Sequence, residues 1–524
     1  MRWEAFLIQA VGEALYVVGT DRRGTVFGIY DLCEAMGVSP WYWFGDVPVR
    51  TRPEVRFRAE ARHADWPGVA YRGIFINDEE ELERWAQEHT GDDTIGPETY
   101  ARLFELVLRL KGNYVWPAMH VNAFNLDPAN GRLADDLGVV IGSSHCDMLL
   151  RSNEHEFEGW AAARPEPVAY DYSLPGRNRD ELIEYWRGSV RQNGGYEVSW
   201  TVGMRGIHDT GFSTAAIDGD DSLTEVGRHR ARVDLLGRVI ADQRRLLVDE
   251  LGDRGRDCLQ LFIPYKEVLP LYDGGLELPD NVTVVWANDN FGYVRRYPTG
   301  AELDRPGGHG LYYHSSYWSV PPRSYLATSS TPLALMRAEL TKAWDHGIRR
   351  LWVDNVGGLK PLELETEFFL RCAWQAGKET TTSDVAGFVA TWFDANFSGG
   401  RGAEVGELYA RYYRLNNQRK IEHLDGDAFS LTSDGDEAAR RVRDLADIAA
   451  RIASIAVELP IGERDAFLQL IGIKVHLAYL VAAQFAYADR SRLALAQGRP
   501  AAADAYTVRS KEYDGRRHRP GSRP

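Results

Sequence analysis

Side chains that can donate, accept or transfer protons recur in short clusters along the first two-thirds of the chain. They are Asn77-Asp78-Glu79, His145, Arg205 with His208-Asp209, Tyr265-Lys266-Glu267, Asn288-Asp289-Asn290, Tyr312-Tyr313-His314 and Asp354-Asn355. Carboxylates, amides and tyrosines dominate. That set suits glycoside hydrolysis, in which one carboxyl group protonates the leaving oxygen and a second activates water or attacks the sugar. Metal-ligand spacing is not evident: HExxH does not occur, and His145, His208 and His314 stand far apart, so no metal and no cofactor is expected. A metal-dependent hydrolase using those histidines and one aspartate stays open as the alternative. Nucleophilic Ser or Cys has no GxSxG behind it, and Cys146 beside His145 reads as a core-facing thiol.

These clusters need elements to carry them. Eight short apolar runs read as strands: YRGIFIND (71–78), NYVWPAM (113–119), VVIGSSH (139–145), YEVSWTVGMRG (196–206), CLQLFIPYKE (258–267), VTVVWANDN (282–290), HGLYYHSS (309–316) and RRLWVDNVG (349–357). Most are followed by an amphipathic helix, such as 97–112, 179–194, 224–252, 331–347 and 361–375. Eight βα units in about 310 residues is the count of a (β/α)8 barrel, whose active site gathers at the C-terminal ends of the strands. All but the second run end in one of the clusters. A doubly wound open sheet is the alternative, but no GxGxxG or GxxxxGK[ST] follows the first strand.

Around the barrel, the first residues give a strand at 14–20, a turn at 21–24 and a helix at 26–37, which together are too little to bury a core. Beyond residue 376 the strands stop, and helical periodicity fills 383–396, 402–422, 436–457 and 463–496. The expected division is therefore 1–60, a partial N-terminal α/β domain; 61–380, the barrel; 381–505, a helical bundle; and 506–524, a frayed, disordered tail. The fold class is α/β.

Composition narrows the partners. The 524 residues carry 61 Lys+Arg against 76 Asp+Glu, a net charge of −15 with the basic residues scattered, which excludes a nucleic-acid binder. No run reads as a membrane span, so no membrane partner is expected. Four cysteines without CxxC spacing fit neither a disulfide framework nor a zinc site. With 15 Trp, 25 Tyr and 19 Phe the chain is aromatic-rich, which serves core packing or the stacking of sugar faces. The N-terminus lacks signal-peptide order because Glu4 and Glu13 interrupt its apolar run. A secreted protein is expected if a leader precedes this sequence, and a cytoplasmic one otherwise. The unpaired edge near 14–20 invites association, for which a homodimer is one arrangement.

Several long runs carry a resemblance: GTDRRGTVFGIYDLCEAMGVSPWYWFGDVPV (19–49), RGIFINDEE (72–80), LKGNYVWPAMHVNAFN (110–125), GMRG (203–206), PYKEV (264–268), WANDNFGYVRR (286–296) and WVDNVGGLKPLE (352–363). The chain resembles glycoside hydrolase family 115 over roughly residues 3 to 500. The resemblance implies a metal-independent, inverting xylan α-1,2-glucuronidase that removes glucuronic acid or its 4-O-methyl ether. By the same resemblance the family fold is an N-terminal α/β domain, a barrel, a helical region and a C-terminal β-sandwich, the last without a counterpart in this sequence.

Matching motif by motif, the resemblance places Glu34 in a YDL-x-E motif and Asp78 in an NDE motif. Arg205 and Asp209 follow from GMRG, Tyr265 and Glu267 from YKE, and Asn290 from NDN. Tyr312 and His314 belong to a Y-x-H strand and Asn355 to a DN motif. Asp209 is expected as general acid and Glu267 as general base. Glu34, Asp78, His145, Arg205, Tyr265, Asn290, Tyr312, His314 and Asn355 are expected to hold the sugar. Arg205 has the planar guanidinium that a uronate carboxylate would pair with, and Lys360 is a second cation for that task. The sequence departs from the family at Ser144–Met148 and Gly206–Thr210. The expected partner is glucuronoxylan or its oligosaccharides; the rivals are another exo-glycosidase on this scaffold and a non-catalytic carbohydrate binder.

Overall fold

The computed structural model describes residues 2–51, 53–58, 61–77, 79–317, 328–378 and 385–517. Three strands open the chain, β1 (Phe6–Val11), β2 (Ala14–Gly19) and β3 (Arg62–Asp65), in an antiparallel sheet of order β2-β1-β3. Only β2 is legible from the sequence. The helix Arg22–Ala35 begins where a turn is expected, because the Asp21 side chain accepts the Gly24 N–H at 2.8 Å and caps it.

The barrel follows the predicted runs. Its strands are β4 (Tyr71–Phe75), β5 (Tyr114–Trp116), β6 (Val140–Ile141), β7 (Trp200–Thr201), β8 (Gln260–Phe262), β9 (Thr283–Ala287), β10 (His309–His314) and β11 (Leu351–Asn355). All pair in parallel, in the order β6-β5-β4-β11-β10-β9-β8-β7. The two end strands meet at a parallel bridge between Ile141 and Val198, where the Ser199 N–H donates to the Ile141 carbonyl at 2.9 Å. The ring is thus closed around an interior of Phe75, Tyr114, Trp116, Leu261, Tyr265 and Tyr312, distinct from the apolar layer between strands and outer helices. Gly73 is obligatory in this ring: a Cβ there would lie 1.6 Å from the Tyr114 carbonyl oxygen.

A buried charge cluster bolts the small sheet to the N-terminal rim of the barrel. Glu4 is fully buried, pairs with Arg23 and with Arg72 at 2.8 Å, and accepts from Asn113 Nδ2 at 2.9 and 3.0 Å. Arg23 reaches on to Glu197 at 2.7 Å. Arg72, Asn113 and Glu197 all sit at or before the first residues of barrel strands. The acid that interrupts the apolar run of the N-terminus is therefore one half of an internal ion pair.

Helices fill the rest of the chain: Val385–Asn396, Gly402–Gln418, Glu437–Glu458 and a long segment Ile461–Ala496 with a π turn at Leu468–Gly472. That segment is long and apolar enough to cross a membrane by composition, contrary to the sequence reading, yet 61% of its most apolar window is buried inside the protein. It also carries Lys474, fully buried and 2.7 Å from the equally buried Glu365 on the barrel helix Glu363–Gln375, whose other oxygen accepts from Tyr413 at 2.7 Å. The last helix, Pro500–Arg517, occupies much of the expected tail. It lies along Ile473–Ala496, with Tyr513 stacked on Tyr487 at 5.6 Å and Ser491 Oγ donating to the Ala503 carbonyl at 2.8 Å. Tyrosines inside a basic, polar sequence supply the anchor that its composition hides.

The Lys474–Glu365 pair yields a test. Lys474→Met leaves an uncompensated buried carboxylate and should destabilise the protein by about 3–5 kcal/mol, whereas Lys474→Met with Glu365→Leu should recover most of that loss. Urea unfolding midpoints check both variants.

Candidate active site

At the C-terminal mouth of the barrel the structure gathers Arg205, Asp209, Tyr265, Lys266, Glu267, His145, Tyr312 and His314. Arg205 organises them. It is 2% exposed, and every one of its five N–H groups is engaged. Nε and Nη2 donate to the two oxygens of Glu267 at 2.8 and 2.7 Å in a bidentate pair. Nη1 donates to Asp209 Oδ1 and faces Cys146 Sγ at 3.9 Å, and Nη2 also reaches the Asp209 carbonyl at 3.3 Å. Both expected catalytic carboxylates therefore share one guanidinium.

This arrangement corrects the expectation that Arg205 grips a substrate carboxylate, because it has no free donor. Lys360 is no substitute, since its ammonium is spent on the Phe44 carbonyl and on Gln469 Oε1 at 2.8 Å. The cation that does face the mouth is Lys266, 42% exposed and 2.6 Å from Asp209 Oδ2.

Asp209 is the most heavily stabilised acid of the mouth. Burial alone would raise its carboxyl, but the hydrogen bond from His145 Nε2 at 2.9 Å, with the Arg205 and Lys266 charges, holds it well below the usual carboxylate range. A group held ionised in this way is ill-suited to deliver a proton, so the electrostatics oppose the expected general-acid role. Among the described residues Glu267 takes the Arg205 pair and the Phe212 N–H at 3.2 Å. Both carboxylates remain one-third exposed.

Backbone strain marks the same residues. His208, Asp209 and Lys266 lie at φ of +50°, +59° and +48°, a region that side chains other than Gly, Asn and Asp seldom adopt. Two turns out of the strand ends are thus bent to aim Asp209 and Lys266 at each other.

A wall of rings backs the carboxylates. His145 lies 4.2 Å from Tyr265 and 5.7 Å from Tyr312, and Tyr312 lies 4.1 Å from His314, centroid to centroid. Burial lowers the His145 imidazole to about 4, helped by the Arg205 and Lys266 charges, and lowers His314 well below its ordinary value. Both rings are neutral at pH 7. His314 is fixed by Asn288, whose Oδ1 accepts its backbone N–H at 2.9 Å and its Nδ1–H at 2.7 Å. Burial pushes the Tyr265 and Tyr312 hydroxyls well upward, and Asn355 Nδ2 donates to Tyr312 Oη at 3.0 Å.

The remaining expected residues divide. Asn290 is half-buried in the loop after β9, and Asp78 lies outside the described residues. Glu34 is not at the mouth. It sits near the end of the helix Arg22–Ala35, paired with Arg371, and lines a cavity of about 1090 Å³ that also borders Lys111 and Trp374 at the N-terminal end of the barrel. The sequence reading includes Lys266, Asn288 and Glu79 in its strand-end clusters but gives none of them a role at the site. The Glu79 carboxylate accepts the backbone N–H groups of Met119, His120 and Asn122 at 2.7, 2.7 and 2.5 Å.

Two groups of metal-capable side chains occur here among the described residues: His145 with Cys146 and Asp209, and His120 with Glu154 and His208. The first is filled electrostatically by Arg205. The second has no cationic side chain bonded to it.

A model of glycosyl hydrolase family 115 matches residues 64–423. Among solved structures, a family GH115 4-O-methyl-α-glucuronidase, BtGH115A, with specificity for decorated arabinogalactans, is similar at 31% identity and a TM-score of 0.85, over 98% of this chain and 68% of that one. A GH138 enzyme targeting pectin rhamnogalacturonan II shares the fold at 11% identity and a TM-score of 0.57, over 98% of this chain and 83% of that one. No curated protein matches the chain.

The charges at the mouth make His145 a reporter. Its imidazole should stay neutral from pH 5 to 8, with Nε2 protonated, and nitrogen-15 NMR of the histidine rings should show one resonance set that does not titrate in that window. Asp209→Asn replaces the charged acceptor on Nε2 with a neutral amide oxygen, and the His145 signals should shift without gaining a charge.

Proposed function

The chain belongs to glycosyl hydrolase family 115, and from that premise we propose that it releases α-1,2-linked glucuronic acid, or its 4-O-methyl ether, from xylan with inversion. The observation that carries this reading is the pair Asp209–Glu267 held on one buried guanidinium at the mouth of a closed barrel. A glycosidase needs one carboxyl group to protonate and one ionised carboxylate to activate water.

Charge distribution supports roles that are the reverse of the sequence expectation. Asp209, pinned as an anion by Arg205, Lys266 and His145, is the general base. Glu267, which lacks those additional contacts, is the general acid. Lys266 meets the uronate carboxylate, and the Tyr265, Tyr312 and His314 wall packs the sugar face. Inversion requires a water between base and anomeric carbon, so in the complex the two carboxyl groups should stand roughly 6.5–9.5 Å apart.

Decorated arabinogalactan is the second substrate reading, favoured by the specificity of the solved relative BtGH115A for decorated arabinogalactans. Parallel digestion of 4-O-methylglucuronoxylan and a glucuronidated arabinogalactan decides between them: uronic acid released from arabinogalactan alone overturns the xylan reading.

Leaving-group dependence tests the roles. Glu267→Gln should slow turnover of the polysaccharide by a factor on the order of 10²–10⁴ while sparing an aryl glucuronide whose leaving group needs no protonation. Asp209→Asn should impair both substrates alike. The opposite pattern would restore Asp209 as the acid. Proton NMR of the first released sugar should show the β anomer, and an α anomer appearing first would mean retention.

A further inference from the structure

We propose that His120, Glu154 and His208 form a binding site for one divalent first-row transition-metal ion at the barrel mouth, beside the catalytic carboxylates. One donor atom from each residue lies within 4.8 Å of the others. The three come from different loops, after β5, after β6 and after β7, so no sequence spacing could announce them. His208 Nδ1 is 2.6 Å from Glu154 Oε2, and the His120 and His208 imidazoles meet edge to face at 5.8 Å between centroids.

A second, independent observation points to a ligand. The Nδ1 of His120 is sealed from solvent and has no hydrogen-bond partner among the described residues. Buried imidazole nitrogens are ordinarily satisfied, so an unpartnered one beside two further ligands asks for an explanation. Charge runs the same way: the carboxylates of Asp147, Glu79, Glu154 and Asp209 all act on His120. Lys266 and Arg205, the nearby cations, are committed to Asp209 and Glu267.

The loops are held in place before any ligand arrives. Glu79 gathers three N–H groups of one loop around His120. Asn153, next to Glu154, donates to the Gly206 carbonyl at 2.8 Å and accepts the His208 N–H at 3.3 Å. Ligands in a tetrahedral shell stand roughly 3.4 Å apart when bonds are about 2.1 Å, so closure needs side-chain shifts of about 1 Å. Two imidazoles and one carboxylate suit zinc, cobalt or manganese over calcium or magnesium, and leave coordination positions open. Where His208 binds through Nδ1, its neutral ring carries the proton on Nε2 instead, and the hydrogen bond to Glu154 gives way to the metal. The ion would tie the strained turn at His208 and Asp209 to its two neighbouring loops, a positioning role that does not depend on which glycan is cut.

The test uses the whole chain, stripped with a chelator and dialysed, with the metal alone as probe. Cobalt(II) titration should give visible ligand-field bands saturating at about one equivalent, and zinc should displace it. Zinc should also raise the melting temperature of the wild type but not of Glu154→Gln. His120→Ala and His208→Ala should each weaken cobalt binding more than tenfold, with circular dichroism confirming the fold. Saturation below about 0.2 equivalents, or undiminished binding in His120→Ala and Glu154→Gln, overturns the site. None of these readouts involves a sugar, so the result stands or falls apart from the glucuronidase reading.

Discussion

One guanidinium holds the mouth of this barrel together. Arg205 is buried where no water can pair it, so its charge has to be met by protein carboxylates, and it draws Asp209 and Glu267 from two adjacent strand ends onto one plane. Removing a charge from water is costly unless the partners are close and every donor is used. All five are used. The position of the two acids is therefore a consequence of desolvating Arg205, and the Lys266 and His145 contacts to Asp209 complete the same neutralisation.

The rest of the molecule keeps that plane still. The strands carrying the site are short, two residues for β7 and three for β8, so their ends would splay without a rigid frame beneath them. The frame is ionic at the opposite rim, where Glu4 joins Arg23, Arg72 and Asn113, and at the outer wall, where Lys474 meets Glu365. Buried pairs of this kind add little net stability, but a mispaired alternative leaves a bare charge, and that penalty fixes how the N-terminal sheet and the C-terminal helices dock.

Much of this was legible in the sequence, and the reasons are local. Parallel strands buried on both faces must be continuous apolar runs, so all eight barrel strands and the polar residues at their ends stood out. β1 and β3 did not, because β1 is flanked by acids and β3 reads as a charged linker, RHAD, whose pairing comes only from β1. The helix Pro500–Arg517 was hidden by its basic composition. At the site, types were readable but partners were not. Nothing in the linear order says that Arg205 would be saturated by its own neighbours, or that Glu34 would face Arg371 at the far end of the barrel. Those outcomes depend on which helix face packs inward, a tertiary choice.

The balance of charge at the mouth has one more consequence. Arg205 and Lys266 offset Asp209 and Glu267 one for one, while His145 and His314 are kept neutral by burial. A uronate entering this balanced set adds a negative charge to a site already partly shielded from water. The set can meet it through Lys266, whose ammonium carries three N–H groups and spends one on Asp209 Oδ2 at 2.6 Å. On the proposed uronidase reading, Lys266 is then the group through which the mouth would meet an anionic sugar, while Arg205 stays occupied by the two acids it holds together.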